Sequence, residues 1–202
     1  MPLWLSPDPL VLASRSKVRQ KLLVAAGIPI DVSPADLDER ELEALSPSQQ
    51  PAAVATFLAS EKALSVELSN PGRLVLGADQ LLALDGKRFS KPGDRATARA
   101  QLLALSGRTH TLYSAIALVQ NASVLFEHVS TARMTMRSLS DRFLEHYLDV
   151  VGEAATESVG AYQLEGIGIQ LFERVEGEYF TVLGLPLMEV LDFLRQQGYL
   201  LP

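Results

Sequence analysis

Asp79 and Lys91 are the first residues here whose types and spacing could do chemistry together. A carboxylate can take or orient a proton, and an ammonium can hold an anion. Leu74-Val75-Leu76 reads as a buried strand, Gly77 lets the backbone pass close to something, and Asp79 is expected where that strand ends, at the mouth of a cleft. Leu81 to Leu84 then leads to Asp85-Gly86, whose turn chemistry predicts a hairpin that returns Lys91 toward Asp79. On this segment alone, Asp79 reads equally well as the cap of a local turn and Lys91 as a solvated loop residue.

Ser14, Ser16 and Arg19 form a second set of this kind. Leu10-Val11-Leu12-Ala13 predicts a short buried strand, Ser14-Arg15-Ser16 a polar turn, and Lys17 to Ala26 a helix stopped by Gly27. Backbone N–H groups and the positive end of the helix dipole point out of such a turn. With the serines and Arg19 adding donors, it suits an anion such as phosphate, although the glycines of a Walker or dinucleotide loop are missing. The plainer reading is a Ser-capped helix with a solvated arginine. Asp36, Asp38, Glu39, Glu41 and Glu43 are expected in a polar loop, as ordinary solvated acids or as oxygen ligands for Mg²⁺ beside substrate phosphates. From Ala52 to Leu68 the apolar residues recur with helical period. Glu61 projects onto that apolar face, and Lys62 lies at its edge, where a lysine commonly snorkels.

The elements that must position these residues belong to an ordinary globular chain. Its 202 residues, 48% hydrophobic and 21% charged, suffice for a well-buried core in one domain. The net charge of −6, with no dense Lys/Arg block, argues against a nucleic-acid partner. The absence of cysteine excludes disulfide and thiolate chemistry and is compatible with a reducing cytoplasm. No stretch offers the ~20 apolar residues of a membrane helix, and the layout of a secretory signal is missing, so a soluble cytoplasmic protein is expected with no membrane partner. Asp94 is expected to cap a helix running to Leu105, followed by an antiparallel hairpin from His110 to Val119 and Val124 to Met136. A helix over Ser140 to Val150, a glycine-punctuated segment from Ser158 to Ile169 suited to close approach by a ligand, a strand from Ile169 to Val175, and a last helix from Leu187 to Gln197 complete the chain. The three histidines have no metal-ligand spacing, and no G-x-S-x-G elbow is present.

Several stretches in chain order resemble the Maf family of nucleoside triphosphate pyrophosphatases, once associated with inhibition of septum formation. They are Leu12-Ala13-Ser14-x-Ser16-x-x-Arg19-x-x-Leu22-Leu23, Asp38-Glu39, Leu58-Ala59-x-x-Lys62-Ala63, Gly77-Ala78-Asp79, Lys91-Pro92, Leu105-Ser106-Gly107-x-x-His110, Gly160-Ala161-Tyr162 and Gly184-Leu185-Pro186-Leu187. The resemblance implies one domain over residues 1–202 with an α/β fold, Maf/ITPase-like: an elongated mixed β-sheet flanked by helices, with two lobes around a deep nucleotide-binding cleft. It also implies a divalent cation, Mg²⁺ or Mn²⁺, a nucleoside triphosphate substrate and frequent homodimers.

By that resemblance Asp79 is the general base for a water attacking the α-phosphorus. Ser14, Arg19, Lys62 and Lys91 hold the triphosphate, and Glu39 with Asp79 holds the metal. The chain departs from the family pattern at Val18, where an arginine is common, at Gln80, where many members have threonine, and at Glu165, where the pyrimidine-preferring branch has glutamine. These are base-selecting positions in the family. Gln80 and Glu165 look closer to the branch that includes 7-methyl-GTP pyrophosphatase, since a carboxylate can accept hydrogen bonds from guanine. The alternative is a nucleotide-binding regulator of cell division with little turnover; the joint presence of Asp79, Lys62 and Lys91 favours the enzyme.

Overall fold

Leu10, Val11 and Leu12 are all fully buried, a condition met in the middle of a covered sheet, and in the computed structural model, described for residues 3–202, they form strand β1 (Leu10–Leu12). Its parallel neighbours are β2 (Ile30–Val32) and β3 (Val75–Leu84). Beyond β3 the sheet becomes antiparallel through β5 (Thr109–Gln120), β6 (Ser123–Met136) and β7 (Phe172–Glu176). The order is β2-β1-β3-β5-β6-β7, with β4 (Lys87–Phe89) paired to β3 as well, giving the mixed seven-stranded sheet of the described residues. Asp85 and Gly86 both have positive φ, +49° and +78°, the turn that matches strand twist in the β3-β4 hairpin.

The helices begin where side chains cap them. Ser16 caps α1 (Lys17–Ala25), Asp38 caps α2 (Glu39–Leu45), Asp94 caps α4 (Arg95–Leu105) and Ser140 caps α5 (Asp141–Val151), each accepting from backbone N–H groups of the first turn. Helix α3 (Pro51–Glu67) starts instead with Pro51 at its first position, and α6 (Tyr179–Val182) and α7 (Leu187–Gln196) follow β7. Among the described residues no helix is long and apolar enough to cross a membrane.

Period-2 alternation along β3 divides the packing into two faces. Val75, Gly77, Asp79 and Leu81 face α3, where Leu81, Ala115 and Ala117 meet Val54, Ala55, Leu58 and Ala59. Full burial of a leucine such as Leu58 stabilises by about 2 kcal/mol. The opposite face carries two separate apolar cores. One gathers Leu76, Ala78, Ile116 and Leu118 under Leu185, Leu187 and Val190; the other gathers Leu82, Leu84, Leu112 and Met134 under α4 and α5. Between them runs a polar rung at one register, Gln80 opposite Ser114 and Ser114 opposite Ser130. On this face two apolar cores are thus split by a seam of polar side chains.

Three expected elements differ. Strand β3 does not end near Asp79, because β5 pairs with it continuously from Val75 to Ala83, so Asp79 is mid-strand. The acid-rich stretch is partly helical, since the Asp38 carboxylate takes the N–H groups of Arg40 and Glu41 and nucleates α2. The strand expected from Ile169 begins only at Phe172, opposite Met136, the last residue of β6, and the stretch Ile167–Leu171, which lies beyond the end of β6, curls into a 3₁₀ turn. The glycines there serve the chain's own packing: a Cβ on Gly168 would lie 2.4 Å from the Gln163 carbonyl oxygen, and one on Gly160 2.7 Å from Leu82 and Tyr162.

Candidate active site

Parallel strand β1 covers β3 only as far as Leu76, and β4 covers the same flank only from Leu82 onward. From Gly77 to Leu81 that flank of β3 has no strand beside it. The carbonyls of Leu74 and Leu76 accept from Val11 and Ala13, and the next in the row, Ala78, would be left open where β1 stops. Arg19 fills the place. Its Nη1 donates to Ala78 O at 2.7 Å and to Ser14 Oγ at 3.1 Å, and its Nε donates to Gly184 O at 2.8 Å. The Ser16 cap fixes α1 so that Arg19, on its first turn, faces this opening. Burial lowers the Arg19 pKa, while Asp79 and Glu39 act in the opposite direction. Such a guanidinium stays charged.

On the α3 face of the same opening stands Asp79, 5% exposed. Its Oδ1 accepts from Lys62 Nζ at 2.6 Å, and the same ammonium lies 2.7 Å from Glu39 Oε1. Lys62 therefore does not snorkel from an edge: it is 8% exposed and points into the site. The reason is Gly77. A Cβ there would sit 2.0 Å from Ala59 O and 2.9 Å from Ala63 Cβ, so α3 rests directly on β3 and brings Lys62 within reach of the carboxylate. What Gly77 admits is the backbone of a helix.

The second Asp79 oxygen, Oδ2, is buried with no hydrogen-bond partner. A buried acceptor left open is costly and calls for a water, an ion or a substrate atom. Burial would raise the Glu39 pKa, but Lys62, Lys91 and Arg19 together hold it below the usual carboxylate value. Lys91 itself is exposed, just beyond β4, with its charge felt at Glu39. No group of three or more His, Cys, Asp or Glu side chains placed to hold a metal occurs among the described residues. The donor set at the opening is instead two carboxylates, one oxygen of which is unpartnered, and this fits a hard cation that takes its remaining ligands from phosphates and water.

Of the expected residues, the structure brings Ser14, Arg19, Lys62, Asp79 and Glu39 together around the opening, with Lys91 at its rim. Gln80 points to the other face, where its Nε2 donates to Ser114 Oγ, Thr181 O and Val182 O at 3.0, 3.2 and 3.0 Å. Val18 is half-buried on α1 beside Arg19. Glu165 stands exposed in the turn ahead of the 3₁₀ segment, and no hydrogen bond among the described residues links it to the others. Ser114 and Thr181 escape sequence reasoning, because nothing marks one polar residue of a strand as touching a segment more than sixty positions away. Two open surface concavities, of about 570 and 520 Å³, lie elsewhere; the first is lined by Asp94, Arg95, Glu153 and Glu157, all turned to solvent, and the second by Trp4, Val24 and Ile28.

The family profile described as "Maf-like protein" matches residues 9–197. A Rhodopseudomonas palustris protein named "Nucleoside triphosphate pyrophosphatase" is 55% identical over 200 residues, 99% of each chain. One of the same name from Nitrobacter winogradskyi is 52% identical over 200 residues, again 99% of each. Among solved structures, a HAM1 protein from Coxiella burnetii overlaps 63% of this chain and 72% of its own at TM-score 0.39 and 16% identity. With the profile running almost from end to end and relatives this similar along their whole length, the chain belongs to the Maf family.

Proposed function

We propose that this chain is a nucleoside triphosphate pyrophosphatase that hydrolyses the bond between the α- and β-phosphates. The observation that carries the reading is the Lys62 ammonium held between the Asp79 and Glu39 carboxylates, with Asp79 Oδ2 left open beside the Arg19 guanidinium. Full-length relatives bearing that name support it. Asp79 Oδ2 orients a water and accepts its proton as the water oxygen bonds to the α-phosphorus. The bond from that phosphorus to the bridging oxygen breaks, and a nucleoside monophosphate and pyrophosphate result. Arg19, Ser14, Lys62 and Lys91 hold the phosphate oxygens, and the fixed charge of the three cations is where most of the stabilisation arises. Asp79 and Glu39 would hold a Mg²⁺ or Mn²⁺, which when bound supplies further neutralisation of the phosphate charge.

The base is read at Gln80. With its Nε2 protons spent on protein acceptors, the side chain offers Oε1 alone, an acceptor suited to a donor edge such as the N1–H and amino group of guanine. Guanine presents two adjacent donors to such an acceptor where thymine and uracil present one, N3–H, and on that ground a purine, including a methylated one, is the proposed base. Pyrophosphate release across standard, methylated and deaminated triphosphates tests both levels. Release that is lost with EDTA is expected, as is a fall of about 10²–10⁴-fold in kcat for Asp79→Asn with nucleotide binding nearly unchanged. Undiminished turnover by that variant removes Asp79 from the mechanism, and dTTP or UTP as best substrate overturns the purine preference. Nucleotide binding without any release would point to a regulator.

A further inference from the structure

Ser114 is fully buried in the middle of β5, at the seam between the two apolar cores, where an alanine or valine would let the cores merge. Its hydroxyl acts both as donor and as acceptor. It donates to Thr181 O at 2.7 Å and accepts from Gln80 Nε2 at 3.0 Å. The Thr181 carbonyl is a meeting point, since it also accepts from Gln80 Nε2 at 3.2 Å and from the Gly184 N–H at 3.0 Å. Gly184, at φ +86°, turns its own carbonyl back onto Arg19 Nε at 2.8 Å. An unbroken path of hydrogen bonds therefore runs from Ser114 through the Thr181–Gly184 turn to Arg19, and a branch of it fixes Gln80.

What the path controls is the aim of a guanidinium. Arg19 Nε and Nη1 are spent on Gly184, Ser14 and Ala78, and no protein acceptor holds Nη2 among the described hydrogen bonds. The direction in which Nη2 presents its protons is set by the acceptors that hold the rest of the plane, because a guanidinium is rigid. Two of these, Ser14 and Ala78, come from the sheet side. The third, Gly184 O, comes from a turn that meets the sheet through Thr181 O, and of the two sheet residues that donate to that carbonyl Ser114 makes the shorter bond, 2.7 Å against 3.2 Å from Gln80.

We infer that Ser114 is a positioning residue for the triphosphate site: it helps anchor the Thr181–Gly184 turn to the sheet and thereby aims Arg19 at the substrate's phosphates. The inference rests on the nucleotide reading given above. Ser114 touches no substrate, so a change there acts only through the residues it holds.

A double-mutant cycle tests it, read as Kd for an α,β-methylene guanosine triphosphate in the presence of Mg²⁺. Ser114→Ala is expected to weaken binding about tenfold in the unmutated protein but less than about twofold when Arg19 is already alanine, because the hydroxyl acts through the guanidinium. Equal losses in the two backgrounds, or no loss in the first, overturn the inference. Ser114→Cys, of similar volume and with a weak donor, carries the same cycle if the alanine variant does not fold. A second measurement needs no nucleotide: the Nε–H resonance of Arg19, assigned by its loss in Arg19→Ala, is expected to lose its protection from solvent exchange in Ser114→Ala. An unchanged resonance overturns the inference. Failure of the unmutated protein to bind or hydrolyse any triphosphate removes the nucleotide reading, whereas additive losses in a protein that does bind remove only the role of Ser114.

Discussion

The Lys62 ammonium pairs with two carboxylates from a buried position, which sets the cost of removing it. Lys62→Met leaves the Asp79 charge buried without its partner, and the expected loss is about 3–5 kcal/mol in unfolding free energy. Adding Asp79→Asn to the same chain is expected to recover most of that loss, since the stranded charge is gone. Urea denaturation of the three proteins at neutral pH checks it; a single variant as stable as the parent would show that the ammonium is not what makes the buried carboxylate tolerable. Arg19 and Ser14 are legible in the sequence because each is a polar residue beside a strand end or a helix start, whereas Asp79 is legible only as a carboxylate that interrupts an apolar run, its true place being mid-strand. Lys62 is only half legible. A helical wheel gives its angle to the helix's own apolar stripe but cannot know that α3 lies in direct contact with β3. Glu165 has the right chemistry for guanine, yet stands in an exposed turn that the sequence pattern does not place.

At the scale of elements, the contact between α3 and β3 is the joint on which the site depends. Gly77→Ala drives a methyl into the Ala59 carbonyl and the Ala63 side chain, both part of a helix that cannot yield at one point without moving along its length. The expected cost is about 3 kcal/mol or more, accompanied by loss of pyrophosphatase activity as Lys62 is lifted away from Asp79. Thermal unfolding and turnover measured together check this; an active variant of normal stability would mean that the helix has slack the packing does not suggest. The β3-β4 and β5-β6 hairpins, the caps of α1 and α4 and the helical run of α3 follow from local chemistry, and so are readable from residues within one turn of one another. The continuity of β3 through Asp79 is not, because it depends on β5 lying alongside, some thirty-five positions later. The late start of β7 likewise depends on where β6 ends.

At the scale of the whole molecule, stability is tied to acidity through His110. This histidine is 1% exposed, donates to or accepts from Tyr162 Oη at 2.7 Å through Nε2, and leaves Nδ1 without a partner. Burial pushes its pKa down from 6.5 to about 4. Unfolding restores the ordinary value, so between these two pH values the unfolded chain holds a proton that the folded chain does not, and acid favours unfolding. The contribution is fully present above about pH 6.5 and is lost progressively toward pH 4, amounting to about 3 kcal/mol for a depression of this size. His110→Gln, which keeps a polar partner for Tyr162 but does not titrate, is expected to flatten the pH dependence of urea midpoints across that window; an unchanged slope would assign it to other groups.

The interruption in the flank of β3 has one more consequence, for how these molecules behave toward one another. An uncovered strand invites a strand from another chain, and such pairing is a route to aggregation. Here the uncovered stretch is only Gly77 to Leu81, walled by β1 on one side and β4 on the other, with Arg19 already holding the Ala78 carbonyl. A foreign strand of ordinary length, about five or six residues, would have to fit the five-residue gap from wall to wall and would still find the Ala78 carbonyl already taken by Arg19. The gap is thus a poor template for a polypeptide, and the protein can keep an unpaired strand flank beside Asp79 without its becoming a seed for precipitation.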